Sequence, residues 1–337
     1  MYELDVLKVG KERDATAITA RFTRPDTATR AHVVVDAGWK ADADTVVAML
    51  QRYEAPGVDV ALLTHPDGDH IGGMGVLFNH FHVGTLVMHR LDLRGGADLD
   101  AAEAVKELAE KAIAAGTQIL EPTPGLSLLG GALTILGPSD DYYAQLVIEQ
   151  RGQTIAKALA GALRGAVRSL ADRLLQDLPE EEVPFDDGPG CGPRNNSSVI
   201  ALLRLDGKRV LLTGDAGVPA VEAALDYAQA NAIDATRASI VQIPHHGSRR
   251  NASSVLLDRM LGPIGQAETG ESFVSVISDT DRKHPSGRVV NAYARRGYPY
   301  FWTADGPKLW ASADAPPRPD YGPAPPGRPL AEYDDDQ

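Results

Sequence analysis

The chain has 337 residues, of which 43% are hydrophobic, and a formal net charge of -13 at neutral pH. This length and apolar content are sufficient for a substantial buried core. The single cysteine, Cys191, excludes an intramolecular disulfide and fits a reducing cytosol, and without a second cysteine it is expected to be a loop thiol. No run of about eighteen apolar residues and no secretion signal is visible, so we expect a cytoplasmic protein with no membrane segment.

Hydrophobic periodicity predicts alternating strands and helices. A strand over 2–10 and the start of its hairpin partner at 14–18 open the chain. Apolar strand-like runs follow at 31–36, 58–64, 84–89, 126–136, 198–204, 209–213, 238–243 and 273–278. Helical patterns lie at 42–53, 70–79, 99–115, 217–231 and 286–296. This order favours one α/β domain over residues 1–314.

A helical insertion at about 142–190 interrupts the alternation. Apolar residues recur there at three- and four-residue steps, which predicts an amphipathic helix over 142–182. Lys157, Arg164 and Arg168 share another face of it. The helix could cover a cleft and hold a phosphate backbone, pair with a second subunit, or pack as an ordinary surface helix with a solvated charged face.

Residues 315–337 form a Pro-rich, acidic tail. Its composition predicts disorder. Together with the inserted helix, the tail is a candidate binding site for a protein partner.

Four metal-ligand side chains lie within six residues at the end of a predicted strand, namely His65, Asp67, Asp69 and His70. Imidazole nitrogen and carboxylate oxygen bind zinc, manganese or iron. The alternative is a solvated acidic turn in which Asp69 caps the next helix. Histidine on both sides of the carboxylates favours a metal site.

This His-x-Asp-x-Asp-His pattern resembles the first large motif of the metallo-β-lactamase superfamily. The family usually has histidine at the position of Asp67, and aspartate there is typical of the ComEC-type hydrolase domain of competence proteins. Further segments resemble motifs of that branch in the same order, at 33–38, 194–199, 210–215, 243–248 and 284–285. The resemblance implies an αββα sandwich of two mixed β-sheets flanked by helices, with metal-dependent hydrolase activity.

The resemblance also implies two divalent ions, zinc or manganese, and a bridging hydroxide that attacks phosphorus or a carbonyl carbon. Asp215 would lie between the ions, His65 and Asp67 would bind one, and Asp69, His70 and one histidine of the 245–246 pair would bind the other. The third ligand of the first ion stays open. Its candidates are His89, the Asn195-Asn196 pair, the remaining histidine of His245 and His246, and His284.

Further roles follow from the same motifs. Asp69, Asp215 and His284 are the predicted catalytic residues, with His284 as a metal, phosphate or general-acid residue. Asp36 is expected to orient a metal-binding histidine without touching metal. The candidates for substrate binding are Asn195, Asn196, Ser197 and Ser248.

Three functions remain open at this stage. The first is a phosphodiesterase or nuclease acting on DNA or RNA, because two divalent ions outweigh the three carboxylates at the site and favour an anionic substrate. The second is a hydrolase of a small carbonyl compound such as a lactone, thioester or β-lactam. The third is a binding module, or an effector that needs a partner for activity. The net charge of -13 is only a weak objection to nucleic acid, since metal ions make the pocket less negative.

Overall fold

A computed structural model describes residues 1–97, 99–163, 190–278, 284–319 and 325–330, with backbone alone over 155–163. The segment predicted as an insertion begins with a helix over Asp140–Leu163. Its continuation, with Arg164 and Arg168, and the side chain of Lys157 lie outside this description. None of the described helices is both long enough and apolar enough to cross a membrane.

The strands in chain order are β1 Tyr2–Val6, β2 Ala17–Thr23, β3 Arg30–Ala37, β4 Val58–Leu62, β5 Val83–Val87, β6 Gln118–Leu120, β7 Ser127–Leu128, β8 Leu133–Gly137, β9 Ile200–Leu205, β10 Lys208–Leu212, β11 Ile240–Gln242, β12 Glu271–Val274, β13 Tyr300–Trp302 and β14 Lys308–Ala311. The helices are α1 Ala43–Arg52, α2 Gly68–Ile71, α3 Met74–His80, α4 Ala102–Ala114, α5 Asp140–Leu163, α6 Pro193–Asn196, α7 Val218–Ala230, α8 Ser254–Leu261 and α9 Gly287–Arg295.

The described strands form two mixed sheets. One has the order β14-β1-β2-β3-β4-β5-β6 and the other β13-β12-β11-β10-β9-β8-β7. Parallel pairs lie at the centre of each sheet. In the first sheet β4 pairs with β3 and with β5, and in the second β11 pairs with β10 and with β12. Carboxyl ends of neighbouring parallel strands therefore meet at one edge of each sheet.

Three apolar clusters separate four layers of secondary structure. The inner cluster joins the facing sheets, for example through Leu4 and Val33 from one and Leu203 from the other. One outer cluster packs α1, α3 and α4 on the first sheet, and a second packs α7, α8 and α9 on the other. Central strands such as β3 are buried along almost their whole length, so they read as continuous apolar runs. The predicted αββα sandwich is confirmed.

Some elements were not predicted. The short strands β6, β13 and β14 have three or four residues each, too few for a clear periodicity. Helix α8 did have a signal, since Ser253 accepts a hydrogen bond from the backbone N–H of Leu256 and Leu256, Leu257, Met260 and Leu261 are buried. The predicted strand over 126–136 is interrupted at Leu129–Gly131, where Gly130 has a positive φ of 68°.

The described parts of the C-terminal tail bind the domain, which differs from the predicted disorder over those residues. The Arg318 guanidinium lies 2.7 Å from Oε1 of the buried Glu3 and 5.3 Å from the Tyr53 ring centre. Farther along, Leu330 exchanges two backbone hydrogen bonds with the side chain of Asn291, at 2.8 and 3.1 Å. A buried ion pair and an apolar contact thus hold a segment whose composition alone suggested solvation.

Candidate metal centre

Turns that follow the carboxyl ends of four strands build the centre. Asp36 is the second-to-last residue of β3, and β4 leads into 64–70, while β10 leads to Asp215 and β11 to the 3₁₀ turn His245–Gly247. Because the strands in each of these two pairs are parallel, their carboxyl ends lie side by side. The facing sheets bring the two pairs of turns together at one edge of the sandwich.

Asp215 lies at the middle of the centre and is 3% exposed. Its Oδ1 is 3.4 Å from Nε2 of His70. Its Oδ2 is 3.7 Å from Nε2 of His65 and 3.7 Å from Nε2 of His245. The two carboxylate oxygens therefore face different histidines, as a residue placed between two ions would require.

A second group consists of Asp69, His70 and His246. Oδ2 of Asp69 is 3.1 Å from Nε2 of His246 and 3.6 Å from Nε2 of His70. Nδ1 of His246 donates to the backbone carbonyl of Ser275 at 2.6 Å. This bond commits Nδ1 as a donor and turns Nε2 toward Asp69, so Nε2 is the nitrogen that a metal ion would bind in place of a proton.

These residues fit a divalent metal ion. The ligand atoms of His65, His70 and Asp215 lie within 4.8 Å of one another, and so do those of Asp69, His70 and His246. Nε2 of His65 and of His70 are buried and have no hydrogen-bond partner among the described residues. A buried imidazole nitrogen that faces carboxylates at 3.4 to 3.7 Å has the acceptor chemistry and the room that a metal needs.

One nitrogen binds one ion, so His70 can serve only one of these groups. If it joins Asp69 and His246, the other ion has His65 and Asp215, with His245 and Asp67 beside them. Oδ2 of Asp67 is 3.6 Å from Nε2 of His65. This arrangement separates the members of the 245–246 pair, one on each side of Asp215.

Asp36 orients His70 from behind. Its Oδ2 accepts a hydrogen bond from Nδ1 of His70 at 2.7 Å, and its two oxygens accept from the backbone N–H and the hydroxyl of Thr64 at 2.8 and 2.7 Å. All three residues are at most 1% exposed. The contact holds the ring so that Nε2 of His70 faces Asp215 and Asp69, the orientation that a metal-binding nitrogen would need.

Left-handed backbone marks the same turns. Asp36 has a φ of 54°, and the consecutive residues His245, His246 and Gly247 have φ values of 50°, 53° and 80°. A Cβ on Gly247 would lie 2.7 Å from Cβ of Pro285, so only glycine fits there without movement. Such conformations cost of the order of 1–3 kcal/mol each for residues other than glycine and persist where surrounding contacts require them.

The charges of the centre stabilise one another. Burial raises the pKa of Asp215, but the His70 and His65 charges outweigh it and hold that pKa well below its usual range. Burial lowers the pKa of His246, yet the hydrogen bond with Asp69 and the Asp215 charge raise it to about 9. Carboxylates and imidazoles thus pair closely enough for a divalent cation to replace protons between them.

The predicted substrate-binding residues lie beside the centre in different environments. Nδ2 of Asn195 is 3.2 Å from the ring nitrogens of His245. Asn196 bonds the carbonyl of Cys191 and the N–H of Gly217, so both ends of its amide are engaged by backbone. Asn195 therefore contacts a histidine of the centre, whereas Asn196 bonds the backbone of the loops that support it.

The remaining motif residues surround the histidine pair. The Ser197 hydroxyl donates to a backbone carbonyl at 2.6 Å, and Ser248 is 8% exposed and directly follows the histidine turn. The ring of His284 is 5.7 Å from that of His245 and 6.2 Å from that of His246. The late His-Pro segment therefore reaches the centre. His89 instead stacks on Tyr143 at 3.7 Å.

Three further residues support the centre without having been assigned a role in it from the sequence, and two of them, Asn251 and Cys191, lie outside the motifs. Oδ1 of Asn251 lies 3.0 Å from Nδ1 of His245, and its Nδ2 donates to the carbonyl of Asp215 at 2.8 Å. The Ser198 hydroxyl accepts from the backbone N–H of Asp215 at 3.1 Å. The Cys191 thiol, expected in a loop, donates to the same Asp215 carbonyl at 3.4 Å. These contacts hold the ligand-bearing turns together.

The chain matches a known protein family and has similarity to solved structures. The profile of the metallo-beta-lactamase superfamily matches residues 27–264. The metallo-beta-lactamase fold protein YhfI from Bacillus subtilis is 12% identical with a TM-score of 0.45, over 92% of this chain and 100% of that one. The metallo hydrolase Igni18 from the archaeon Ignicoccus hospitalis is 12% identical with a TM-score of 0.43, over 92% and 99%. No curated protein matches. The chain belongs to the metallo-beta-lactamase superfamily of metal-dependent hydrolases.

Proposed function

We propose that this protein is a phosphodiesterase that cleaves DNA or RNA with two divalent ions, zinc or manganese. The observation that carries the proposal is the presence of arginines on loops on both sides of the metal centre, in a chain whose net charge is -13. Phosphate binding depends on local cations along the path of the substrate, so an acidic average is compatible with it.

The first arginine is Arg13, in the loop between β1 and β2. Its guanidinium carbon lies 5.3 Å over the ring of the half-buried Trp39. A Cβ on Gly68 would lie 2.7 Å from that ring, so the indole touches the turn that carries Asp67 and Asp69. An exposed cation on an aromatic face beside the metal turn suits a phosphate or a nucleobase.

Two more arginines, Arg249 and Arg250, lie on the other side, one residue after the histidine turn His245–Gly247. The 3₁₀ turn Arg249–Asn251 is anchored by Asn251 to His245 and to the Asp215 carbonyl. Arg250 is exposed. The two basic loops thus approach the centre from opposite sheets, and a polyanion could contact both.

The ions, when bound, would polarise the phosphoryl oxygens and lower the pKa of water. His65, Asp69, His70, Asp215 and His246 would hold them. Asp36 and the Ser275 carbonyl, which accept hydrogen bonds from Nδ1 of His70 and of His246, would keep Nε2 of both rings directed into the centre. His284, beside His245, is placed to hold or give a proton to the departing oxygen.

The test incubates the full chain with single-stranded DNA, plasmid and RNA in Mn²⁺, Zn²⁺ or Mg²⁺. We expect cleavage by the native protein and none by an Asp69→Ala/His70→Ala control. Arg13→Ala and Arg250→Ala should raise KM and flatten its salt dependence, whereas Arg204→Ala, whose guanidinium bonds Gly131 and Thr134 in the second sheet, should not. Hydrolysis of a lactone, thioester or β-lactam without nucleic-acid cleavage would overturn the proposal.

A further inference from the structure

Arg194 is fixed by acceptors from three parts of the chain. Its Nη1 donates to Oδ1 of Asp67 at 3.1 Å and its Nη2 lies 3.4 Å from Oδ2 of Asp100. The side-chain amide of Gln150, with its oxygen toward Arg194, accepts from Nε at 2.9 Å and from Nη2 at 3.2 Å. A guanidinium held on its Nε edge and at both terminal nitrogens has little freedom to rotate.

The partner of Arg194 inside the centre is a carboxylate with two differently engaged oxygens. Oδ1 of Asp67 faces Arg194, whereas Oδ2 lies 3.6 Å from Nε2 of His65. The Asp67 side chain is 28% exposed and Arg194 is 30% exposed, so both lie at the mouth of the centre and not deep in it. With no second contact, a carboxylate at the mouth could rotate away from the histidines.

We propose that Arg194 is a positioning residue that holds Asp67 toward the metal centre, and that Gln150 of helix α5 sets the position of Arg194. Hydrogen bonds of this kind orient a ligand and commonly affect metal affinity about 10–100-fold. The inference rests on the metal centre of the proposed function but not on the identity of the substrate.

Packing connects α5 to the same point. Tyr143, Leu146 and Val147 of this helix line a narrow gap together with Pro66 and Pro193, the residues that directly precede Asp67 and Arg194. The inserted helix therefore lies beside the residues that precede both partners of the ion pair, and it contacts Arg194 itself through Gln150. A change at α5 would reach the metal centre by this route.

The test measures Mn²⁺ and Zn²⁺ affinity of the metal-free full chain by titration calorimetry, without substrate. We expect Arg194→Gln and Asp67→Asn each to weaken binding about 10–100-fold. Because Arg194 acts through Asp67, the double variant should bind no more weakly than Asp67→Asn alone. Gln150→Leu should weaken binding less, and its effect should vanish in the Arg194→Gln background.

The matched control is Arg209→Gln. Arg209 has similar exposure, 27%, and bonds three backbone carbonyls at the opposite end of β10 from Asp215. It should lower thermal stability but leave metal affinity unchanged. If Arg194→Gln does not fold, Arg194→Lys replaces it in the same cycle. Unchanged metal affinity in the Arg194 variants, or losses that add in the double variant, would overturn the inference. Metal binding is read without substrate, so failure of the nuclease proposal would be seen separately.

Discussion

Replacement of Asp36 separates the stability of the metal centre from its metal affinity. Asp36 is 0% exposed and accepts hydrogen bonds from Nδ1 of His70, from the backbone N–H of Thr64 and from the Thr64 hydroxyl. In Asp36→Ala the first two donors stay buried without a partner, while the hydroxyl can rotate. Asp36→Asn keeps an oxygen for the Thr64 N–H but turns an amide donor toward His70.

The magnitudes follow from these contacts. Two orphaned donors at about 1–3 kcal/mol each should lower the free energy of unfolding of Asp36→Ala by about 2–6 kcal/mol. Alanine at a φ of 54° adds about 1–2 kcal/mol, a cost that asparagine largely avoids. Asp36→Asn should therefore lose less stability. Its amide, however, forces the proton of His70 onto Nε2, so metal affinity should fall about 10–100-fold.

The assay combines thermal unfolding in chelator with Mn²⁺ titration of the metal-free protein. Asp59→Asn is the control, since Oδ2 of Asp59 accepts from the backbone N–H of His32 at 2.7 Å near the opposite end of the same two strands. Its metal affinity should match that of the native protein. Native affinity in Asp36→Asn would refute the argument, because it would mean that the tautomer of His70 is not set by Asp36.

Three further outcomes are expected. Gly247→Ala should lower both thermal stability and metal affinity, because its Cβ would lie 2.7 Å from Cβ of Pro285. The control Gly207→Ala has the same φ of 80° but no atom within 4 Å of its Cβ, so it should lower thermal stability slightly and leave metal affinity unchanged. Equal effects of the two substitutions would refute the steric argument. Arg318→Met should lower the free energy of unfolding by about 1–3 kcal/mol, because the buried Glu3 would keep Arg21 but lose its second cation, and metal affinity should stay native. An unchanged midpoint in denaturant titration would show that the tail contact is weak. Metal at about 100 times its Kd should raise the free energy of unfolding of the native protein by about 2.7 kcal/mol. The same metal concentration should not stabilise Asp215→Asn in thermal unfolding. If it stabilises this variant as much as the native protein, Asp215 is not a ligand.

The parts of the candidate centre that are local in the chain were visible in the sequence motifs. His65, Asp69 and His70 occupy one turn after one strand, and spacing alone brings them together. The layered sandwich was also readable, because strands buried on both faces are apolar runs and the helices between them are amphipathic. Short elements were not predicted, because a strand of three residues such as β13 is too short to show an alternation of apolar and polar residues.

Other features depended on residues far apart in the chain. Arg194 and Asp67 are separated by 127 positions, and nothing in either local pattern indicates their pairing. His245 faces Asp215 and His246 faces Asp69, and the left-handed turn that carries both histidines was not visible in the sequence. In the same way, the composition of the tail did not indicate that Arg318 pairs with the buried Glu3 and Asp5 of β1.

The residue types and spacing of the motifs were enough to indicate a metal site, because both are local properties of a turn. Which oxygen of Asp215 faces which histidine, and which cation contacts Asp67, depends on the folded chain. These pairings form because burial and the packing of two sheets against each other bring the side chains together. Both bring together side chains whose local sequences are unrelated.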